Sequence, residues 1–284
     1  MTLPIVPDRW THRDWSNDPV LGLASSVARA LLRPATYVGV AREAASAVAD
    51  AVMFPLGMMH TTLFDGVDGV DGADAAGRSR TRPVMMVHGY GHNKSAWLFL
   101  AGRLRQAGID RVETFDYNPM ADDIPTLGAA LRHRVDALLC RAGADRVDVV
   151  GHSMGGVVCR WMIQECGGSD LVRTCVTVST PHEGTLAAVL GPGRTARQLR
   201  PHSPVMRRLR RSLHSSDVRW IAYYSNIDTL VIPARSGRLE GDGVTVENIL
   251  IKDRGHLGIL LSGRLADDIL SRLSHPAGST RPAA

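Results

Sequence analysis

The chain has 284 residues, of which 44% are hydrophobic and 21% charged, a composition typical of a globular protein with a sizeable core. Its net charge of +5 and pI near 9.3 are compatible with anionic partners but select none. The basic residues do not alternate with aromatic ones as they do in nucleic-acid-binding proteins. We therefore expect one large domain, alone or with an appendage, and no nucleic-acid partner.

The cysteines and the N-terminal sequence indicate the compartment. Cys140, Cys159, Cys166 and Cys175 match no zinc-ligand spacing, and free buried thiols are favoured over a disulfide. The N-terminus lacks the basic start and unbroken apolar run of a signal peptide. The uncharged run over 51–64 is shorter than the roughly 20 apolar residues that span a bilayer. We expect a cytoplasmic protein with neither a signal peptide nor a transmembrane helix.

The first 82 residues differ in composition from the rest. Apolar residues recur at steps of three and four on both sides of Pro34, which predicts a helical extension over 1–64. We interpret it as a helical pair packed on the main domain, with a membrane-surface anchor as the alternative. Residues 65–82 are rich in Gly and Asp and are typical of a flexible linker, since the ligand spacing of a calcium loop is missing.

From residue 83 onward, short β-forming runs alternate with longer helical ones. The predicted strands are VMMVHG, VETFDY, RVDVVG, VRTCVTVST, VRWIAYYS and VTVENILI. Nearly continuous apolar strands between helices predict an α/β domain over 83–275, with a mostly parallel sheet of about six strands and helices on both faces. A disordered tail is expected over 276–284. Ligands bind such sheets at the carboxyl ends of the strands.

Ser153 follows one of these strands in the sequence Gly-His-Ser-Met-Gly. A chain of this length contains Gly-x-Ser-x-Gly by chance about once in ten, and an ordinary glycine-rich turn is the alternative interpretation. The setting between strand and helix favours a nucleophile, because the small glycines permit the sharp turn that exposes a serine hydroxyl.

A serine nucleophile needs a base, and the base needs an acid that orients it. In strand–turn–helix nucleophile sites the acid and then the histidine follow the serine along the chain. Asp228 and His256 come just after the last two predicted strands in that order. Asp242 and Asp253 are the competing acids. Other histidines have weaker claims to be the base: His88, His152 and His182.

The tetrahedral intermediate of acyl transfer needs two hydrogen-bond donors at its oxyanion. The backbone N–H of Met154, directly after the serine, is one candidate. The backbone N–H of Tyr90, in the loop after the first strand, is the other. His88 and Gly89 support that loop, because glycine lets the backbone turn toward the serine; the alternative is that they only end the strand.

The segments VHGYG, GHSMGG, STPHEGT, SNIDTLVIP and GHLGIL resemble, in order, the motifs of the small bacterial lipases and related actinobacterial lipase-like hydrolases of the α/β-hydrolase superfamily. The resemblance covers residues 83–275. It implies an α/β-hydrolase fold and ester hydrolysis through an acyl-enzyme, without cofactor or metal. It assigns Ser153 as nucleophile, Asp228 as acid, His256 as base, and Tyr90 and Met154 as oxyanion donors.

Two functions remain as alternatives to a lipase or carboxylesterase. An acyltransferase would use the same triad with an alcohol or thiol in place of water. A non-catalytic membrane-binding scaffold would keep the fold without turnover. An ester is the expected substrate, and no partner protein is evident.

The chain departs from the minimal lipase pattern in its N-terminal extension and in a basic, cap-like insertion over 187–219. We interpret the insertion as a solvated surface; the alternative is attraction to anionic lipid or to an acyl carrier, at about 1 kcal/mol for each basic residue near a charged surface. The basic residues of the insertion are Arg194, Arg197, Arg200, Arg207, Arg208, Arg210, Arg211 and Arg219.

Overall fold

The computed structural model describes residues 45, 48, 52–55, 57, 82–214, 216–241, 244–252 and 254–274. The N-terminal residues among them are helical. Most of the predicted extension over 1–64, the linker apart from Arg82 and the tail over 276–284 lie outside the described residues. So do the competing acids Asp242 and Asp253.

The described residues form a parallel sheet whose strand order is β2-β1-β3-β4-β5-β6. Every neighbouring pair is parallel, which confirms the predicted α/β fold class. The strands are β1 (Val84–Val87), β2 (Val112–Phe115), β3 (Val147–His152), β4 (Val172–Val178), β5 (Arg219–Ser225) and β6 (Val246–Ile251).

α-Helices lie between consecutive strands from β1 to β5, and α2 begins and ends at recognisable sequence signals. In α2 the Asp123 side chain caps the first turn by accepting from the Thr126 N–H, and Gly143 ends the helix with φ +57°. The α-helices are α1 (Leu98–Gln106), α2 (Ile124–Ala142), α3 (Met154–Glu165), α4 (Gly193–Gln198), α5 (Pro204–Arg211) and α6 (Gly263–Ser274). Short 3₁₀ turns cover Lys94–Trp97, Leu186–Val189 and Ala234–Gly237.

Alternating side chains of each strand supply two separate cores. On one face Met85 and Val87 of β1 pack with the residues of α2 and α3. On the other face Val84 and Met86 pack with α1 and α6. Because side chains alternate along a strand, a strand buried on both faces must be apolar throughout. The sheet is therefore covered on both sides, and its carboxyl edge is where polar side chains converge.

The basic insertion contains the 3₁₀ turn Leu186–Val189 and the helices α4 and α5. Arg219, which we counted with it, is the first residue of β5 and pairs with Glu247 of β6. That position is the opposite end of the strand from Ser225, so this arginine lies away from the carboxyl edge of the sheet. None of the helices in the described ranges is both long and apolar enough to cross a bilayer.

Candidate active site

Ser153 occupies a strained turn between β3 and α3. Its backbone has φ +52° and ψ −124°, a region that non-glycine residues enter at a cost of about 1–3 kcal/mol. Glycines make the turn sterically possible. A Cβ atom at Gly151 would lie 2.6 Å from the Cα atom of Gly156, and one at Gly155 would lie 2.7 Å from the carbonyl carbon of Val87. The turn thus presents the serine side chain at the carboxyl edge of a central strand.

Asp228 and His256 meet at the same edge, on the loops after β5 and β6. The Nδ1 atom of His256 lies 2.9 Å from each carboxylate oxygen of Asp228. Both side chains are nearly inaccessible, with 3% of His256 and 2% of Asp228 exposed. A buried carboxylate on Nδ1 orients the imidazole and leaves Nε2 as the nitrogen for another partner.

The backbone stabilises the charge of Asp228 as well. Its Oδ1 atom accepts from the N–H groups of Leu230 and Val231, at 2.9 and 2.8 Å. Burial raises the pKa of Asp228, but the neighbouring His256 and these hydrogen bonds outweigh it and hold the pKa below the usual value. The carboxylate therefore stays ionised throughout the neutral range.

The loop after β1 passes directly over the serine. A Cβ atom at Gly89 would lie 2.9 Å from the Cβ atom of Ser153, so only glycine fits there. Tyr90 is the next residue of this loop. Met154 is fully buried and is the first residue of α3, where helix geometry leaves the N–H without an intrahelical acceptor. Both predicted oxyanion donors therefore belong to segments that flank Ser153.

His88 supports this loop from inside the protein. Its Nδ1 atom lies 2.9 Å from the carbonyl oxygen of Gly89. Its ring stacks on that of Tyr117 at 4.2 Å, and the Tyr117 hydroxyl donates to the His88 carbonyl oxygen. Asp116 lies 3.2 Å from Nε2 of the same imidazole. Sequence analysis did not anticipate this role for Asp116 and Tyr117, although both follow β2 at the same edge of the sheet.

Two further imidazoles lie next to His256. The ring of His152 is 4.8 Å from that of His256, and the ring of His92 is 5.6 Å from that of His152. Burial, then the charge of His256, lowers the pKa of both; that of His92 falls to about 4 and that of His152 well below its usual value. Sequence analysis did not single out His92, and the only signal was its place within GYGHNK. His182 instead contacts Thr177 and Arg160.

The start of the basic insertion borders the site. The Tyr90 hydroxyl donates to the Pro192 carbonyl oxygen at 2.7 Å and lies 3.1 Å from the sulfur of Met120. Leu186 is joined through its N–H to the carbonyl oxygen of Ile232, in the loop that carries Asp228. Large apolar side chains are exposed on these segments, and 90% of the Leu190 surface is accessible to solvent. The exposed side chains are Met120, Leu186, Val189, Leu190 and Leu230. We call this set the apolar rim.

The described arginines of α5 are partly neutralised. Arg208 pairs with Glu165 and Arg210 with Glu183.

Within the described ranges, no group of three or more His, Cys, Asp or Glu side chains is arranged to hold a metal ion.

A serine on a strained strand–helix turn, with an acid and a histidine on later strand-end loops of a parallel sheet, is the arrangement of α/β hydrolases. The model of the alpha/beta hydrolase family matches residues 84–267, so the chain belongs to this family. A curated relative, "Probable esterase PIR7A" from rice (Oryza sativa), is 32% identical over 78 residues. That match covers 26% of this chain and only 30% of the rice protein.

Solved structures show the same fold at low sequence identity. The mature lipase BlEst2 of Bacillus licheniformis superposes with a TM-score of 0.59 and 19% identity, over 72% of this chain and 95% of that one. Lipase B of Aspergillus fumigatus superposes with a TM-score of 0.63 and 17% identity. The match covers 76% of this chain and 57% of that one. The monoacylglycerol lipase of Paleococcus ferrophilus superposes with a TM-score of 0.53 and 16% identity. The match covers 68% of this chain and 95% of that one.

Alanine should change the free energy of unfolding in opposite directions at two glycines, because only one of them lies in the close packing of the turn. Gly155→Ala should destabilise the protein by about 1–3 kcal/mol, because the new methyl group collides with the backbone of β1. Gly102→Ala, inside α1 with no atom near the added Cβ, should stabilise it by about 0.4–1 kcal/mol. Urea unfolding measures both. Equal free energies of unfolding for the two variants would contradict the packing described here.

Proposed function

We propose that this protein is a serine hydrolase that cleaves carboxylic esters, as a lipase or carboxylesterase. The observation that carries the proposal is the buried pair of Asp228 and His256, with Nδ1 2.9 Å from the carboxylate, at the edge where the turn presents Ser153. The similar proteins include an esterase and lipases, which supports the same reaction class.

The reaction begins when His256 accepts the hydroxyl proton of Ser153 at Nε2. The serine oxygen attacks the ester carbonyl, and the negative charge forms on the carbonyl oxygen. The N–H groups of Tyr90 and Met154 stabilise that charge; loss of one such donor typically costs a factor of about 10²–10³ in kcat. Asp228 holds the Nδ1–H tautomer and stabilises the imidazolium.

Collapse of the intermediate releases the alcohol, which takes its proton from His256, and leaves an acyl group on Ser153. His256 then removes a proton from water, and the resulting attack releases the acid and restores the serine. No cofactor takes part in this sequence. In the acyltransferase alternative an alcohol or thiol replaces water at this step.

The apolar rim supports an ester with an apolar acyl group. Leu230 lies two residues after Asp228, and Leu186 to Leu190 border the same loop through the bond to Ile232. Large exposed apolar side chains that cluster on neighbouring segments are typical of binding surfaces. An acyl chain that leaves the serine along these side chains would remove them from water.

Ser153→Ala tests the nucleophile. The variant should lose a factor of about 10⁴–10⁶ in kcat toward p-nitrophenyl esters while the fold stays intact, because no other hydroxyl replaces the serine on its turn. The parent protein should be labelled by a fluorophosphonate probe, and the variant should not. Retention of most activity by the folded variant would refute the mechanism. Product analysis with an added alcohol separates hydrolysis from acyl transfer, and an unlabelled, inactive parent would favour the scaffold alternative.

Asp228→Asn tests the acid. Because the amide favours the wrong imidazole tautomer, kcat should fall by about 10³–10⁴. Asp242→Asn and Asp253→Asn are the matched controls, since each removes one carboxylate from the same part of the sequence, and both should keep nearly full kcat. A larger loss in either control than in Asp228→Asn would move the acid to that position.

We further propose peripheral contact with anionic membranes, through the apolar rim and the arginines of α5. Exposed apolar and basic side chains occur on adjacent segments, as they do on surfaces that bind lipid. The ion pairs of Arg208 and Arg210 with glutamates reduce the charge available for this contact. The electrostatic part is therefore smaller than the number of arginines indicates.

Replacement of Arg207, Arg208, Arg210 and Arg211 by Gln should weaken binding to phosphatidylserine vesicles and flatten its salt dependence, because these charges are screened over about 8–10 Å at physiological ionic strength. The control replaces the same number of arginines elsewhere: Arg103, Arg111, Arg132 and Arg134. Vesicle sedimentation at several salt concentrations measures both. Equal weakening in the two variants would show that net charge alone, and not this surface, attracts the membrane.

A further inference from the structure

His152, the last residue of β3, makes a contact that the mechanism above does not use. It is fully buried, and its Nε2 atom lies 3.0 Å from the backbone carbonyl oxygen of His256. We infer that His152 is a positioning residue, which holds the main chain of His256 so that the His256 ring faces Ser153. This inference rests on the proposed function.

The hydrogen bond determines the protonation of the His152 ring. A carbonyl oxygen only accepts, so Nε2 of His152 must carry the proton and donate it. A neutral imidazole then has a lone pair on Nδ1. That atom is buried and has no hydrogen-bond partner among the described residues. A buried polar atom left unpaired costs about 1–3 kcal/mol of stability. The hydrogen bond of Nε2 to the His256 carbonyl oxygen is the contact that gives a histidine at this position a function.

The sheet order explains why His256 needs a second support. β3 and β6 are separated by β4 and β5, so the loop after β6 must reach across two strands to the serine. Asp228 holds the His256 ring from the loop after β5. His152 holds the His256 backbone from the strand that carries the serine itself. One bond limits rotation of the ring, and the other limits movement of the whole residue.

The surroundings of His152 keep it uncharged while it does this. Burial lowers its pKa well below the usual value, and the facing imidazoles lower it further. These titratable neighbours are His256 on the loop after β6, and His92 and His88 on the loop after β1. A neutral His152 adds no positive charge beside His256 at the moment when His256 becomes an imidazolium. The bond therefore supports the base without opposing its protonation.

The ring also fills the space beside the loop that carries Tyr90. A Cβ atom at Gly89 would lie 3.2 Å from Nδ1 of His152. A replacement must therefore keep the volume of the ring if it is to test the hydrogen bond alone. Leu and Gln are both close to His in volume. Only Gln retains an N–H that can reach the position of Nε2.

The test compares His152→Leu with His152→Gln, each normalised to the number of serines that react with a fluorophosphonate. His152→Leu should lower kcat by roughly 10–100-fold, the size of effect expected from a displacement of about 1 Å at a catalytic group. KM should stay within about twofold, because ground-state binding is not removed. His152→Gln should restore kcat to within about fivefold.

A purely structural role would lower the folded fraction without changing kcat per reactive serine. Parent-like kcat in His152→Leu, or an equal loss in both variants, would overturn the inference. If His152→Leu does not fold, ¹⁵N NMR of the parent decides: a neutral ring protonated at Nε2 is expected, and a proton at Nδ1 overturns it. An active Ser153→Ala variant would instead refute the proposed function. If Ser153→Ala is inactive and His152→Leu has the kcat of the parent, only the role of His152 is refuted.

Discussion

The start of α3 lies so close to the end of β1 that no side chain fits between them. A Cβ atom at Gly155 would lie 2.7 Å from the carbonyl carbon of Val87, and one at Gly156 would meet the Thr180 side chain at 2.8 Å or less. This backbone contact determines the separation between the serine turn and the loop after β1. The strain at Ser153, whose φ is +52°, persists because the packing on both sides leaves the turn no other conformation. The geometry at the serine is thus set by main-chain packing before any polar side chain contributes.

The charge distribution at the carboxyl edge follows from burial. Three imidazoles lie within a short distance of one another, and water is excluded from most of their surface. Burial lowers the pKa of His92 and His152, whereas hydrogen bonds and His256 keep Asp228 ionised. Opposite unit charges about 4 Å apart attract by roughly 4 kcal/mol at an effective dielectric constant near 20. An imidazolium formed at His256 therefore has one close negative partner and no positive neighbour among these histidines.

Much of this architecture was predictable from sequence because it depends on local patterns. The helical run between the second and third predicted strands is the helix Ile124–Ala142, and an N-cap aspartate, a proline and a C-terminal glycine mark its ends. The placement of Asp228 and His256 at one edge follows from the rule that parallel strands end together. Contacts between distant segments have no such signature. Tyr90 and Pro192 are 102 residues apart, and a count of arginines does not show that Arg208 faces Glu165.

The bond between Tyr90 and Pro192 connects the basic insertion to the loop that carries a proposed oxyanion donor. The insertion is also held elsewhere by buried or partly buried bonds. The Thr195 hydroxyl donates to the Pro119 carbonyl oxygen at 2.7 Å, and the buried guanidinium of Arg160, on α3, donates to the Leu209 carbonyl oxygen at 3.0 Å. Segments that open readily make few such contacts. These bonds fasten the insertion to the rest of the domain, so any ligand that displaced Pro192 would also disturb the loop of Tyr90. In the proposed ester hydrolysis, selection among acyl groups depends on the exposed side chains of the apolar rim, which can change rotamer without moving the backbone that supports the proposed catalytic groups.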